Sequence, residues 1–458
     1  MVTVSNHLLC YNPNMHYDLI IKNGMLVTLT ETFKADIAVK DEKIAITGSL
    51  SSTDTAGEIF DAAGLHILPG IIDAHVHFRD PGLTQKEDFQ TGSAAAACGG
   101  ITMIADMPNT IPVTSTTEHL NEKIRIAREK SYIDFALFAL LNNDNIHEIE
   151  GLQKAGALGF KIFLGTSTGD IASPSFSALL EQIQKCAKAN IRIGFHAETS
   201  GLNTYFTDLC KKKSNAPDGL LLSDARPVIS ETLAISNALC FAQYTCAKIH
   251  IHHVTTLDGV RLIVQARQNG VKVTAETCPH YLLFDAEQST HKVYPPIRGS
   301  EHRKGLWEAL EKESINMLAS DHAPHTADEK ALSLWDAPAG LSGVETFVPL
   351  MLTQVNKGVL SLNNFVRLAS EAPAKIWGIY PKKGNLLAGA DADFTIVDMN
   401  KKSIIDKNKL HSKSKTSPYH GMEVQGLPIA TLVRGKFVMK EGSLTGEKGF
   451  GSFISPVL

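Results

Sequence analysis

The chain has 458 residues, of which 43% are hydrophobic and 20% are charged, as in an ordinary globular protein. Its formal net charge is -4, so it lacks the excess of positive charge that a nucleic-acid partner would need. No apolar run approaches the roughly 20 residues of a membrane span, and the first residues do not resemble a signal peptide. Seven scattered cysteines without a C-x-x-C pair favour a reduced, cytoplasmic location.

The N-terminal part has the pattern of a small antiparallel β unit. Residues 17–48 contain alternating apolar positions, and Asn23-Gly24 predicts a hairpin turn between two strands. A second, polar turn is expected at Asp41–Lys43. This part of the chain therefore does not predict a nucleotide-binding fold.

The C-terminal part returns to β character after about residue 385. Strands are expected in Asp391–Asp398 and Leu427–Phe437, with a turn at Arg434-Gly-Lys436. We therefore expect residues 1–65 and 385–458 to form one discontinuous β-sandwich domain.

Between these two parts, eight short apolar segments of β type alternate with helical patterns. The expected strands are Gly70–Val76, Ile101–Asp106, Tyr132–Phe138, Leu158–Phe163, Ile191–His196, Lys248–Val254, Val271–Glu276 and Ile315–Ser320. Helical spacing covers Phe176–Lys188 and Leu257–Gln268, and Ser115-Thr-Thr-Glu118 is typical of a capping box. Eight strands alternating with helices predict a (β/α)8 barrel over residues 66–384. A doubly wound sheet is the alternative, but no G-x-G-x-x-G follows an early strand.

Side chains that bind metals recur where the expected barrel strands end, which is where barrel enzymes carry their active residues. His75 and His77 are two residues apart and so share one face of their strand. Four later strands end near Lys161, His196, the group His250, His252 and His253, and Asp321. Spacing alone does not decide which face of the His250 strand looks into the barrel. The ammonium group of Lys161, in an apolar strand, needs a partner or a modification.

Several of these segments, taken together, resemble the signatures of the cyclic amidohydrolases. They are His75-Val-His-Phe-Arg-Asp80, Asp106-Met-Pro-Asn-Thr110, Gly159-Phe-Lys-Ile-Phe163, Thr274-Ala-Glu-Thr-Cys-Pro-His280 and Ser320-Asp-His-Ala-Pro-His325. Within that family, the Asp-Pro-Gly at 80–82 and the Met-Pro-Asn-Thr are most similar to dihydroorotase. The resemblance extends over nearly the whole chain.

The resemblance implies a hydrolase with two divalent metal ions, expected to be zinc. The implied ligands are His75, His77 and Asp321 for one ion, His196 and His253 for the other, and Lys161, carboxylated on its amine, as the bridge. It also implies that His250 and His252 are structural. A homodimer, and no partner other than a small substrate, are expected by the same likeness.

The reaction implied is the reversible conversion of dihydroorotate to N-carbamoyl-L-aspartate, a step of pyrimidine synthesis. A hydroxide bridging the metals would attack the ring amide, with Asp321 as general base and then general acid. The substrate contacts implied or expected are Arg79, Asn109 and His325 for the carboxylate, and Ala339, Gly340 and Tyr294 for the ring.

Two positions depart from the pattern of some dihydroorotases. Lys161 stands where some bacterial members have Asp, and Tyr294 stands where several relatives have Asn. A dihydropyrimidinase or an allantoinase is therefore an alternative, although their substrates lack the ring carboxylate that Arg79 and Asn109 would bind. A non-catalytic scaffold is a further alternative, but every ligand position carries a competent residue. Residues 165–169, Gly-Thr-Ser-Thr-Gly, suit either a mobile lid or an ordinary loop.

Overall fold

The computed structural model describes residues 15–165, 171–212 and 216–457. Residues 166–169 of the loop considered as a lid lie outside this part. Within the described ranges, no helix has both the length and the apolar character needed to cross a membrane.

The described chain contains eighteen strands and fourteen α-helices. The strands are β1 (His16–Val27), β2 (Thr32–Lys40), β3 (Lys43–Gly48), β4 (Thr55–Asp61), β5 (His66–Pro69), β6 (Ile71–Val76), β7 (Ile101–Asp106), β8 (Asp134–Leu137), β9 (Ala139–Leu140), β10 (Phe160–Phe163), β11 (Ile193–His196), β12 (Ile249–Ile251), β13 (Val273–Thr277), β14 (Met317–Leu318), β15 (Phe394–Ile404), β16 (Glu423–Val433), β17 (Lys436–Lys440) and β18 (Ser443–Leu444). The helices are α1 (Phe89–Cys98), α2 (Thr117–Lys130), α3 (Ile149–Lys154), α4 (Phe176–Lys188), α5 (Ser200–Cys210), α6 (Asp218–Ala225), α7 (Val228–Thr245), α8 (Leu257–Gln268), α9 (Pro279–Leu283), α10 (Ser300–Glu311), α11 (Ala327–Lys330), α12 (Phe347–Asn356), α13 (Leu362–Val366) and α14 (Ala372–Ile376).

Eight parallel strands close into a barrel. β6, β7 and β8 are paired in that order, and β9 to β14 form a second parallel series. Only Phe138 separates β8 from β9, so the two act as one strand. A parallel bridge between Val76 and His322, with His77 N–H donating to the His322 carbonyl at 2.7 Å, joins the first strand to the last. The barrel predicted from the alternation of strands and helices is confirmed.

The helices surround the barrel and begin at capping residues that the sequence supplies. Ser175 caps α4 and Thr256 caps α8, each accepting a hydrogen bond from a backbone N–H in the first turn. The capping box predicted from Ser115 is wrong by one residue. Thr116 is the N-cap of α2 and accepts from the His119 N–H. The Ser115 N–H, which Glu118 would accept from in a capping box, donates to the Val113 carbonyl.

Both ends of the chain join in a second, mixed sheet of nine strands. Its order is β18-β17-β16-β15-β5-β1-β2-β3, with β4 paired to β1. The sheet curves back on itself, since the Phe60 ring of β4 lies 5.4 Å from the Phe437 ring of β17. Leu19 and Ile37 from one half and Phe394 from the other belong to the same apolar core. A barrel beside a separate sheet domain is thus the architecture of this chain.

The hairpin predicted at Asn23-Gly24 is wrong, because β1 continues through this pair. The pairing of β1 with β2 shifts register between Ile21 and Gly24, which marks a β-bulge. Asn23 adopts a φ of 63°, and its side-chain amide donates to Asp61 at 3.0 Å. The positive φ that this pair allows therefore forms a bulge and not a turn. The turn expected at Asp41–Lys43 does connect β2 to β3.

A buried lysine ties the barrel to the second sheet. The Lys383 ammonium lies 2.5 Å from Asp134 of β8, 2.9 Å from Asp391 and 2.6 Å from Asp393. Burial alone would lower the pKa of Lys383, but the three carboxylates raise it above its ordinary value. This one cation therefore neutralises acidic groups from both parts of the molecule.

We predict that Lys383→Ala destabilises the protein by roughly 3–5 kcal/mol, because it removes the cation that three buried carboxylates share. Lys43 and Arg434 still pair with Asp391 and Asp134, but Asp393 is left without an ion-pair partner in the described chain. The free energy of unfolding in urea measures the effect. Lys382→Ala, at the exposed neighbouring position, serves as the control and should change stability by less than about 0.5 kcal/mol. Equal stability of the two variants would contradict the role given to Lys383.

Candidate active site

The predicted ligands converge at the carboxyl ends of the barrel strands. His75 lies in β6 and Lys161 in β10, His196 ends β11, and His253 and Asp321 follow β12 and β14. The predicted residues that line one common pocket are His75, His77, Arg79, Asn109, Lys161, His196, His253, Tyr294, Asp321, Ala339 and Gly340. Phe163, Val293 and Ala323 complete its lining, and no pattern in the sequence marks them as site residues.

One group of donors has the spacing of a metal site. The Nε2 atoms of His75 and His77 lie 3.4 and 3.3 Å from one oxygen of Asp321. Two ligands bound about 2.0–2.1 Å from a tetrahedral zinc ion are about 3.3 Å apart. Two imidazoles and a carboxylate at this spacing fit one divalent ion.

A second group of donors lies beside the first. His196 Nδ1 and His253 Nε2 are 3.1 Å apart, and the ring centroids of His75 and His253 are separated by 5.3 Å. Lys161 Nζ lines the same pocket, fully buried, without a hydrogen-bond partner in the described chain. The residues present therefore fit metal binding at both groups, and the buried Lys161 amine, which has no hydrogen-bond partner in the described chain, lies beside them.

Burial keeps these side chains in forms that bind metals. Burial lowers the pKa of His75 and His253 well below the usual value of 6.5, and it also lowers the pKa of His77 and His196. Neutral imidazole is the form that donates a nitrogen lone pair to a metal. Burial also lowers the pKa of Lys161 to about 7.

Glu276 orients the first histidine, and sequence reasoning did not single it out. Its carboxylate bonds to His75 Nδ1, which leaves His75 Nε2 directed at Asp321. The same carboxylate lies 2.9 Å from His252 Nδ1 and 3.0 Å from His250 Nε2. Of the three histidines in and just after β12, only His253 lines the pocket. His250 and His252 lie in the barrel core around Glu276.

Asn109 orients the ring of His77, as Glu276 orients the ring of His75. Its side-chain oxygen lies 2.7 Å from His77 Nδ1, so His77 donates there and presents Nε2 to Asp321. Asn109 was predicted to bind the substrate carboxylate. The structure commits its oxygen to His77, although its side chain still lines the pocket.

A buried ion pair supports the second group of donors. Glu198 lies 2.8 Å from His196 Nε2 and accepts two hydrogen bonds from Arg226, at 2.8 and 2.6 Å. Burial alone would raise the pKa of Glu198, but Arg226 and His196 lower it to about 2. The Arg226 guanidinium also stacks on the Tyr294 ring, 3.6 Å from its centroid. Tyr294 is thus held as part of the pocket wall.

Arg79 presents an unpaired guanidinium edge to the pocket. The side chain is 1% exposed, its Nε donates to the Pro324 carbonyl at 3.3 Å, and its Nη1 has no partner in the described chain. Nη2 lies 3.4 Å from His325 Nε2. Lys86 Nζ donates to His325 Nδ1 at 3.1 Å, so Nε2 carries the proton and donates to the Ala339 carbonyl. A protonated Nε2 accepts nothing from Arg79, and both Nη groups are left for a ligand.

His325 therefore differs from its predicted role. It does not line the pocket, both of its ring nitrogens are engaged, and it packs behind Arg79. Burial, followed by the neighbouring cations Arg79 and Lys86, lowers its pKa to about 2. A neutral, fully bonded imidazole can position Arg79 and Ala339, but it offers no charge to a substrate carboxylate.

Three of the pocket residues have strained backbones. Arg79, His253 and Asp321 have φ values of 62°, 37° and 45°, in the left-handed region that side chains with a Cβ rarely adopt. Such conformations persist where the surrounding structure holds them, and they concentrate at functional sites. Here each one follows a barrel strand and turns its side chain into the pocket.

The sequence matches the Amidohydrolase family over residues 66–438. The chain belongs to that family. Within it the chain is a metal-dependent cyclic amidohydrolase, because its relatives of near-full-length coverage are enzymes of that type. An L-hydantoinase from Paenarthrobacter aurescens is 38% identical, with 96% of this chain and 98% of the relative covered. A dihydroorotase from Methanothermobacter thermautotrophicus is 35% identical, with 96% and 97% covered.

Other relatives of this amidohydrolase widen the range of activities. An allantoinase from Deinococcus radiodurans is 35% identical, with 94% of this chain and 97% of the relative covered. Among solved structures, L-hydantoinase (dihydropyrimidinase) from Arthrobacter aurescens superimposes with a TM-score of 0.93 at 37% identity, covering 96% of this chain and all of that one. Membership of the family is confirmed. Relatives with hydantoinase, dihydroorotase and allantoinase activity have similar sequence identity to this chain.

We predict that Glu276→Gln weakens metal retention about 10- to 100-fold, because His75 loses the carboxylate that fixes its proton on Nδ1. Competition with a chelator, followed by measurement of the metal that remains bound, tests this. Glu287→Gln, at an exposed position, is the control. If both variants hold metal as tightly as the native protein, Glu276 does not orient the site.

Proposed function

We propose that this amidohydrolase is a dihydroorotase, which opens the ring amide of dihydroorotate to N-carbamoyl-L-aspartate and closes it again. The observation that carries the proposal is the buried Arg79 guanidinium, whose two Nη groups face the pocket without an acidic partner in the described chain. A buried cation of this kind needs an anion. Dihydroorotate carries a carboxylate on the ring, whereas hydantoin, dihydrouracil and allantoin carry none.

The geometry of the arginine fits a carboxylate in particular. A guanidinium offers two parallel N–H groups that match the two oxygens of a carboxylate. His325 and Pro324 hold the rest of the Arg79 side chain, so the fork is positioned before the substrate arrives. The Ala339 and Gly340 backbone lines the same pocket, on the wall where the substrate ring would lie.

The proposal includes two divalent ions, expected to be zinc, and a Lys161 carboxylated on its amine. His75, His77 and Asp321 would hold one ion, His196 and His253 the other, with Lys161 between them. When bound, such ions acidify water and polarise the amide carbonyl. A carbamate on Lys161 supplies two oxygens and turns a buried amine without a partner into an anion.

Asp321 moves the proton in the proposed reaction. Its carboxylate lies at the edge of the first donor group and lines the pocket beside Arg79. It takes the proton from the attacking water and delivers it to the ring nitrogen as the amide bond breaks. In the reverse direction Asp321 accepts the proton from the ureido nitrogen as the ring closes.

Hydantoinase (dihydropyrimidinase) activity is the second candidate. The relatives named above include an L-hydantoinase at 38% identity and a solved L-hydantoinase with a TM-score of 0.93, both slightly more similar to this chain than the dihydroorotase named. An uncharged ring would occupy the same pocket but would leave the Arg79 fork without an anion.

The two candidates are separated by assaying metal-loaded enzyme in parallel with dihydroorotate, hydantoin, dihydrouracil and allantoin. We expect the highest kcat/KM for dihydroorotate. A higher value for hydantoin or dihydrouracil would replace the proposal with the second candidate. Inactivity on all four, with metal bound, would reject both.

Arg79→Met should keep both metals and lose dihydroorotate turnover by about ten- to a hundredfold or more, since a charge-assisted bidentate contact disappears. Metal analysis and kcat/KM measured on the same preparation test this. Arg125→Met removes an exposed arginine paired to Glu122 and Glu129 and should leave turnover unchanged. Normal turnover by Arg79→Met would show that Arg79 does not bind the carboxylate.

Native protein purified without chelator should contain about two metal equivalents per chain, and Lys161→Ala should contain fewer and lose most activity. Elemental analysis measures the metal, and mass spectrometry under gentle conditions tests for the added carboxyl group. Short carboxylic acids should partly restore the variant, because they supply the missing oxygens. Full activity with two metals and an unmodified Lys161 would contradict the bridge.

A further inference from the structure

A second cavity lies at the opposite end of the barrel from the active site. Its volume is about 400 Å³, within the range of about 300–1,000 Å³ usual for small-molecule sites. Leu158, Arg192 and Lys248 line it. Arg192 and Lys248 directly precede β11 and β12, and Leu158 lies two residues before β10. The cavity therefore opens at the amino-terminal ends of the strands, whereas the residues of the active site lie at their carboxyl ends.

All the charged side chains that line this cavity are positive. Lys154, Arg192, Lys248 and Lys375 line it, and its lining contains no Asp or Glu. Lys375 pairs with Glu371 at 2.7 Å, whereas no carboxylate of the described chain lies within ion-pair distance of the other three. Four cations gathered in one concave surface stand out in a chain whose net charge is -4.

Arg192 is built into the cavity wall. Its Nε donates to the Ile376 carbonyl at 2.9 Å, and its Nη1 donates to the Ile249 carbonyl at 2.9 Å and to Thr274 at 3.2 Å. These bonds fix the guanidinium plane and leave Nη2 without a hydrogen bond in the described ranges. A held guanidinium with a free edge binds an anion without first losing side-chain freedom.

The remaining lining combines a further donor with apolar surface. Trp377 is 2% exposed, it lines the cavity, and its indole N–H has no partner in the part of the chain described. Ile191, Ile376 and Pro456 add apolar side chains to the same wall. The cavity thus offers cations together with room for an apolar group, and the Trp377 indole N–H lies in its wall without a partner in the described chain.

We propose that this cavity, lined by Lys154, Arg192, Lys248 and Lys375, binds a small organic anion that carries at least two negative charges and an apolar body. A phosphomonoester of nucleotide size and a polycarboxylate share this chemistry. Inorganic phosphate has the charge but cannot cover the apolar wall. The proposal does not depend on which cyclic amide the active site hydrolyses.

Isothermal titration of the metal-loaded enzyme with adenosine monophosphate, phthalate and inorganic phosphate, at constant ionic strength, tests the proposal. We expect one of the two organic anions to bind with a Kd below about 1 mM, and inorganic phosphate to bind at least about tenfold more weakly. The organic anion that binds identifies the source as phosphomonoester or polycarboxylate. Raised salt should weaken the binding.

Two variants locate the site. Lys154→Met combined with Lys248→Met removes two lining cations and should weaken binding at least about tenfold. Ala189→Phe fills the cavity without changing its charge and should abolish binding. Lys188→Met combined with Lys272→Met is the matched control, because both lysines are exposed near the same end of the barrel and neither lines the cavity. Hydrolase activity should be unchanged in all three proteins, which shows that they are folded.

The proposal is overturned if neither organic anion binds the native enzyme. It is also overturned if the lining variant and the control variant bind equally, since the anion would then lie elsewhere. Inorganic phosphate binding as tightly as the organic anions would contradict the role of the apolar wall.

Discussion

The closure of the barrel between its first and last strands is the constraint on which the active site depends. The bridge from Val76 to His322 and the bond from the His77 N–H to the His322 carbonyl set β6 beside the end of β14. Asp321 is thereby placed against two histidines that are about 245 residues earlier in the sequence. Without this closure, the donors from β10, β11 and β12 would form only half of a site.

Buried charged side chains are the second feature that shapes this structure, and they differ in whether a group of opposite charge pairs with them. Glu276 and Glu198 are compensated by histidines or arginine and orient the donor groups from behind. Lys383 is compensated by three aspartates and joins the two parts of the fold. Among the cationic side chains that line the pocket, Lys161 and Arg79 each keep a buried nitrogen atom without a hydrogen-bond partner in the described chain. These two nitrogen atoms are the positions at which the proposed function places a carboxyl group, on Lys161, and the substrate carboxylate, at Arg79.

The sequence predicts the barrel well because its strands are buried on both faces and so appear as continuous apolar segments. All eight expected strands overlap observed ones, and two helices, α4 and α8, match their predicted bounds. The prediction failed at Asn23-Gly24, because a pair that permits positive φ serves a bulge as readily as a hairpin. Which of the two forms depends on Asp36 and Asp61, which are distant in sequence.

The candidate site was predictable to the level of residue types at strand ends, but not to the level of individual atoms. Strand alternation puts His253 on the face opposite His250 and His252 but does not say which face forms the site, since that choice depends on Glu276 in the neighbouring strand. His325 was predicted to bind a substrate anion, but Lys86 and the Ala339 carbonyl engage both of its ring nitrogens. Such hydrogen bonds join segments that are far apart in the chain, and no local pattern records them.

The central claim is that this cyclic amidohydrolase selects a ring that carries a carboxylate. The most direct measurement compares ring closure of N-carbamoyl-L-aspartate with that of N-carbamoyl-β-alanine, which differs only in lacking the α-carboxylate. With the same metal-loaded enzyme, kcat/KM should be at least about ten- to a hundredfold higher for the aspartate compound, the value of one bidentate charged contact. Equal values, or a preference for the β-alanine compound, would contradict the account.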